Sequence, residues 1–292
     1  MQSSPPTPLD LDLQGSLPLG RKLFSSGMTA IAFLFSAIAI LPLFAVLFAI
    51  LQRGLGRFSL QALVDLPIPL GLDGAPGGIG NAILGTLIMV GIAALISVPI
   101  GVMTAIFLSE FSQGSAIANF VRFIVTILSG VPSIVVGVFA YGVIVLTTKE
   151  YSAWAGSFAL AMIMIPIIVL STESALALVP KAQRLASAAL GGNRFQTTLK
   201  IVLATALPGI LTGILLAISR AAGETAPLIF TALFSENWFT DLRSPSASLS
   251  VLIYNYSNSP DPSQNEMAWT AALVLLSLVL LLNIVSRWLT RR

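Results

Sequence analysis

Residues 219–228 read SRAAGETAPL, with Arg220 and Glu224 four residues apart inside an otherwise apolar run. On one side lies LPGILTGILLAI (207–218) and on the other IFTALF (229–234). A charge inside hydrocarbon costs from about 2.5 to more than 10 kcal/mol and is rarely kept without a partner or a task. What this pair does depends on what surrounds it.

The chain has 292 residues, of which 56% are hydrophobic and 9% charged. Soluble domains carry about a quarter charged residues. Its apolar residues gather in runs of the length a helix needs to cross about 30 Å of hydrocarbon. This composition specifies an all-α integral membrane protein with six spans, at roughly 27–51, 80–108, 119–146, 154–172, 208–234 and 267–287. The first run is too long for a signal peptide and has no small-residue cleavage site after it, so it reads as a retained anchor.

Basic residues favour the cytoplasmic side of a membrane. With both termini inside, the inner segments carry Arg21, Lys22, Arg122, Lys181, Arg184, Arg194, Lys200, Arg287, Arg291 and Arg292. The outer segments carry only Arg53, Arg57, Lys149 and Arg243. Residues 1–20 are rich in Pro and Ser and read as a mobile cytoplasmic tail. Residues 21–76 hold the first span and an outer loop, and 77–292 form a core of five spans. The outer loops 52–79 and 235–266 are long enough to dock an external partner, and equally suited to cover the outer mouth.

The chain contains no Cys and no His. Thiol and imidazole chemistry are therefore excluded, along with most transition-metal ligation. With no clustered carboxylates either, an enzymatic function is not expected, and no cofactor or metal is called for.

Span three contains SGVPSIVVG (129–137), where Gly130, Pro132 and Ser133 predict a break. Broken backbone inside a membrane is tolerated where protein or a water-filled cavity covers it, so this segment reads as lining a pathway. In span five Gly209, Gly213 and Ala217 form a small-residue stripe suited to close helix packing. Extending that face reaches Arg220 and then Glu224. Arg220 lies twelve residues, or about 18 Å, past Pro208, near mid-bilayer.

Two readings fit the pair. One is an internal ion pair that fixes helix packing. The other is an anion site, because a guanidinium fork matches two oxygens of a tetrahedral oxyanion. In the second reading Gly223 bares the backbone beside the anion. Glu224 then neutralises Arg220 when the pathway is empty and accepts a hydrogen bond from an oxyanion that still carries a proton, which favours hydrogen phosphate over sulfate.

The inner loop PKAQRLASAALGGNRFQTTLKIVLATALPG (180–209) predicts a short helix over 181–190, stopped by Gly191, Gly192 and Asn193. A second, amphipathic helix follows over 194–206. Leu185, Ala189 and Leu190 can present an apolar knob to a cytoplasmic partner, or the helix can lie on headgroups.

This helix, Gly, helix, Leu-Pro arrangement resembles the coupling loop of ABC-transporter permeases of the type I importer class. The chain keeps Ala186, Gly191, Leu207 and Pro208, but Leu185 stands where the family has Glu, and Ser187 replaces the second Ala. GGIGNAILGTL (77–87), SVPIGVMTAIFLSEF (97–111), SGVPSIVVGVF (129–139), IPIIVLSTESALALVP (165–180) and RAAGETAPLIFTALF (220–234) are similar to permeases of phosphate-specific ABC transporters, the last most of all to the A type.

The resemblance implies a multi-pass subunit of the bacterial inner membrane that takes no part in covalent chemistry. Its implied partners are a second phosphate permease, two copies of a cytoplasmic ATPase, an extracytoplasmic phosphate-binding protein, and phosphate itself; no nucleic acid is expected. It places Arg220, Gly223, Glu224 and Thr225 on the substrate pathway. It places Arg184, Leu185, Ala186, Ser187, Ala189, Gly191 and Arg194 at the ATPase. The chain has no GxxxxGK[ST] loop, so ATP is expected on another subunit. Permeases for other oxyanions, and a proton-coupled secondary transporter using Glu224, are the alternatives.

Overall fold

The computed structural model describes residues 18–67, 77–112 and 114–290, excluding the side chains at 286, 287, 289 and 290. The expected tail falls almost wholly outside these residues, as do part of the first outer loop and the terminal Arg291 and Arg292. The described residues are helical and contain no strand. Residues up to Ala49 form one unit and those from Ile50 onward a second, which carries all the contacts described below.

The chain begins with α1 (Leu19–Gly54) and the short α2 (Leu60–Val64), followed by α3 (Gly80–Ile106), which continues into a π turn at Phe107–Phe111. Next come α4 (Ala116–Gly130) and α5 (Ser133–Ala140), the latter extended by a π turn at Tyr141–Val145 and by α6 (Leu146–Thr148). Then follow α7 (Ala153–Ala177), α8 (Lys181–Ala189) and α9 (Arg194–Thr197). A third π turn at Thr198–Val202 joins α9 to α10 (Leu203–Ala222). The chain ends with α11 (Ala226–Thr231), α12 (Leu249–Ser257) and α13 (Pro262–Thr290).

Among the described residues, five helices are long and apolar enough to cross a membrane: α1, α3 with its π turn, α7, α9 through α10, and α13. The expected third span is not one straight helix. Its halves, Ala116–Gly130 and Ser133–Thr148, meet at 105°, and counted as one broken span they bring the total to six. Pro132 is the cause, since it lacks an amide donor and acts as the N-cap of α5.

Span five departs from expectation at both ends. It starts at Arg194, because the π turn carries the helix through what the sequence reads as a separate amphipathic segment, and Pro208 lies within it. It stops at Ala222 rather than 234: Gly223 is the C-cap, and Pro227 enters the first turn of α11. A proline there presets a new helix and disfavours helical geometry in the residue before it. Counting from Pro208 therefore does not give the depth of Arg220.

The core forms around α7, whose Leu160, Met164 and Ile168 are fully buried together with Met89 of α3 and Ala217 of α10. The small-residue stripe works as expected. A Cβ on Gly213 would collide with Ser171 Oγ, and one on Gly209 would fall 2.9 Å from Ala175 Cβ, so α10 lies directly against α7. A second cluster joins Ala62, Ile79, Leu249, Leu252, Tyr256, Met267 and Ala271. It shows that the 235–266 segment is no loose loop. It contains the buried helix α12, tied down by the Leu249 amide donating to Thr86 Oγ1 (2.9 Å) and by Asn81 Nδ2 donating to Ser235 O (2.8 Å).

Candidate functional site: a charged pair beside a helix break

Arg220 sits in the last turn of α10 and Glu224 in the three-residue gap before α11. The pair survives the helix end: Arg220 Nε lies 3.4 Å from Glu224 Oε1. The Glu224 side chain is largely buried, whereas 53% of the Arg220 side chain is exposed. The packed face of α10 does not continue to Arg220, as expected from spacing, but to the buried Ala221. Around the axis, position 221 lies nearer to Ala217 than position 220 does, about 40° against about 60°, and α10 ends one residue later. Arg220 is thus turned off the packed face.

It turns toward the helix break. A narrow crevice beside Arg220 is lined by Ser129, Val131 and Ser133 from the break and by Ile163 and Ile167 from α7. Two features 88 residues apart in the chain, the Pro132 break and the charged pair at Arg220, therefore form one site. The arrangement is held from behind by α11. A Cβ on Gly137 would stand 2.6 Å from Pro227 Cα, so α5 and α11 touch backbone to backbone. Gly130 has open space where a Cβ would go, and at Gly223 a Cβ would meet only Arg220 O, at 3.6 Å. Neither glycine is demanded by packing within this chain. Thr225 contributes its carbonyl, which accepts from the amides of Leu228 and Ile229 at the start of α11.

Two contacts to this site were not legible in the sequence. Ser250 Oγ, buried in α12, donates to the Glu224 carbonyl at 2.8 Å. Asn283 Nδ2 of α13 donates to Ser219 Oγ at 3.0 Å, one residue from Arg220. No local pattern announces partners so distant in sequence.

The 181–199 segment folds as expected in outline. Gly191 takes φ +81°, the left-handed conformation that ends α8. Asn193 then starts α9 with a reciprocal capping box to Gln196. Leu185, Ala186, Ala189 and Leu190 are exposed, Leu185 and Leu190 to 70% and 90%. Arg184, Ser187 and Thr197 turn inward, whereas Lys181, Gln183, Asn193, Arg194 and Gln196 stay exposed. Ser187 Oγ pairs with Thr197 Oγ1 at 2.8 Å, and the Arg194 guanidinium lies over the Phe111 ring at 5.5 Å. Arg184 binds Glu110 at 2.8 Å. Arg184, Ser187 and Thr197 thus form a polar inner lattice, while Leu185 and Leu190 share the outer surface with the exposed Lys181, Gln183 and Arg194. Among the described residues, no group of acidic side chains is placed to hold a metal ion.

Residues 97–292 match the family model described as the inner membrane component of binding-protein-dependent transport systems. The chain is 39% identical over 268 residues to the phosphate transport system permease protein PstA of Pasteurella multocida, covering 91% of this chain and 94% of that one. It is 42% identical over 242 residues to PstA of Yersinia pestis, covering 83% and 81%. In fold it is similar to a chain of a bacterial alginate ABC transporter crystallised with a pentasaccharide-bound periplasmic protein (TM-score 0.63, 15% identity, 93% of this chain and 98% of that one). With its helices, its broken span and its inner loop laid out as above, the chain belongs to the PstA family of permeases, inner-membrane components of binding-protein-dependent transport systems.

Proposed function

We propose that this chain is the membrane-spanning permease subunit of an ATP-driven phosphate importer and forms the translocation pathway together with a second permease. The observation that carries the reading is Arg220: a guanidinium more than half exposed, held by one long contact to Glu224, beside a broken helix. A guanidinium fork with free donors can take two oxygens of a phosphate, and Glu224 can accept the proton that hydrogen phosphate still carries. The open side of this crevice is where the second permease would complete the pathway. Family membership sets aside the self-sufficient secondary transporter.

In this reading the ATPase pair docks on the exposed face of α8, through Leu185, Ala186, Ala189 and Leu190, while Arg184, Ser187, Gly191 and Arg194 give that face its shape. An apolar face suits a groove on a partner, and Leu185 in place of the family's Glu removes a charge from that contact. Both termini lie in the cytoplasm, following the distribution of Lys and Arg, and an external phosphate-binding protein delivers its ligand to the outer segments.

The test is ATP-dependent uptake of labelled phosphate into proteoliposomes holding the four-component complex. With Arg220→Gln, uptake is expected to fall at least about 100-fold, the loss of a charge-assisted bidentate contact worth about 3 kcal/mol. Glu224→Gln is expected to erase the preference for phosphate over sulfate. Wild-type uptake in both variants, with the complex assembled, would reduce the pair to a packing device.

A further inference from the structure

The inner ends of α3, α4, α7 and α8 meet at the π turn Phe107–Phe111, whose Leu108, Ser109 and Glu110 are buried. Two arginines from different helices grip this turn. Arg184 of α8 places Nη2 2.8 Å from Glu110 Oε1, and the same guanidinium donates to Leu176 O (3.0 Å) and Val179 O (2.6 Å) at the end of α7. Arg122 of α4 donates to Leu108 O (3.0 Å) and pairs with Glu173 of α7 (2.7 Å). The π turn is therefore wedged between the helix on the cytoplasmic surface and the first half of the broken span. From Arg122, α4 runs seven residues, about 10 Å, to Ser129 at the crevice that holds Arg220.

We propose that Arg184, Glu110 and Arg122 are positioning residues that transmit displacement of α8 through the π turn into α4, opening and closing the helix break beside Arg220. This rests on the reading of α8 as the segment the ATPase moves. The geometry supports it in three ways. A guanidinium fixed by several donors at once in a partly buried setting conveys direction as well as force, unlike a single ion pair. A π turn carries one residue more than an α turn, so a shift of one residue to an α register is the movement this wedged element offers. The lattice ends at the broken span, the one whose halves meet at an angle a small rotation can change. A second route runs from α8 into the continuous helix of α9 and α10: Gln183 accepts from Thr205 Oγ1 of α10 at 3.2 Å, and Ser187 pairs with Thr197 of α9. The experiment has to separate the two routes.

The chain has no cysteine, so a spin label on Thr126→Cys, placed on the exposed side of α4 between Arg122 and the break, reports that helix alone when the other subunits are cysteine-free. In the reconstituted complex, ATP hydrolysis, phosphate uptake and the label spectrum with trapped nucleotide are read on the same samples. For Glu110→Gln and for Arg122→Lys the expected result is an assembled complex whose hydrolysis stays within about twofold of wild type, while phosphate moved per ATP falls about tenfold, within the usual 5- to 150-fold span of allosteric coupling. The nucleotide-driven change at Thr126→Cys is expected to vanish with it. A merely structural role would lower assembly and hydrolysis without changing their ratio to uptake. If both variants keep the wild-type ratio and the wild-type spectral change, the α10 route suffices and the proposal is overturned. If the otherwise unmutated complex takes up phosphate with ATP but shows no nucleotide-driven change at the label, the clamp is overturned while the reading of α8 stands; if it shows neither ATP-driven uptake nor that change, the reading of α8 fails.

Discussion

The two arginine–glutamate pairs at Arg184 and Arg220 have the same chemistry and opposite surroundings. Arg184 has its guanidinium committed to Glu110 and to two backbone carbonyls, and Glu110 is 8% exposed. Arg220 has one contact among the described residues, at 3.4 Å, and 53% of its side chain exposed. A guanidinium carries five donors. Where most are used, a further ligand would have to break existing bonds. Where most are free, the side chain can take an anion at little cost. The first pair is built as structure and the second as a site.

That contrast predicts a crossed result, and it is the largest effect expected. Arg184→Ala leaves Glu110 buried without its partner and uncaps the end of α7, so stability of the assembled complex should fall by about 3–5 kcal/mol. Arg220→Ala removes a mostly exposed group with one long contact but leaves the largely buried Glu224 without it, so stability should fall by no more than about 1–2 kcal/mol, although transport is lost. Thermal unfolding of the two variants in detergent would show it. Equal losses would break the comparison.

The sequence made this contrast only half legible. The apolar runs specify the spans, and Gly191, Gly192 and Asn193 mark the end of α8, because helix stops are written in local backbone chemistry. The pair at 220 and 224 was visible because charge stands out against an apolar run. The pair at 110 and 184 was not, since its members lie 74 residues apart and each sits near polar neighbours at a helix end. The break after Ala222 was missed for another reason. Hydropathy continues unbroken through TAPLIFTALF, and periodicity does not register a bend in an apolar segment. Gly223 followed by Pro227 was the local signal that could have located it.

A second prediction separates the two glycines around the break and asks what holds the open site in shape. The contact of Gly137 with Pro227 is backbone to backbone, so Gly137→Ala forces α5 off α11 and should cost about 1–3 kcal/mol. Phosphate uptake should fall with it, since the crevice wall moves. Gly130 has nothing within 4 Å of an added Cβ. Gly130→Ala should then leave stability unchanged or raise it by about 0.4–1 kcal/mol, through reduced freedom of the unfolded chain. A large loss at Gly130 would show that the break itself needs glycine, which neither its packing nor its position at the end of α4 requires.

The smallest effects are expected where a buried polar group has no partner at all, the limiting case on the other side of Arg184. Thr172 Oγ1 and the Tyr256 hydroxyl are both buried and unbonded. A buried hydroxyl without a partner carries its desolvation cost uncompensated, about 1–3 kcal/mol. Thr172→Val keeps the shape and Tyr256→Phe keeps the ring, including its edge-on contact with Phe234. Both should therefore be neutral or stabilising by up to about 1 kcal/mol. Tyr256 adds a test with a sign. Burial, with the Glu236 charge nearby, raises its hydroxyl from 10.0 to about 12. Above pH 10.0 the unfolded chain releases this proton before the folded one does, so wild-type stability should decline as pH rises from 10.0 to about 12. Tyr256→Phe should lack that increment of decline, read as the difference between the two unfolding curves. A variant that loses stability at neutral pH instead would mean that the hydroxyl has a partner inside the cluster around α12, such as a bound water.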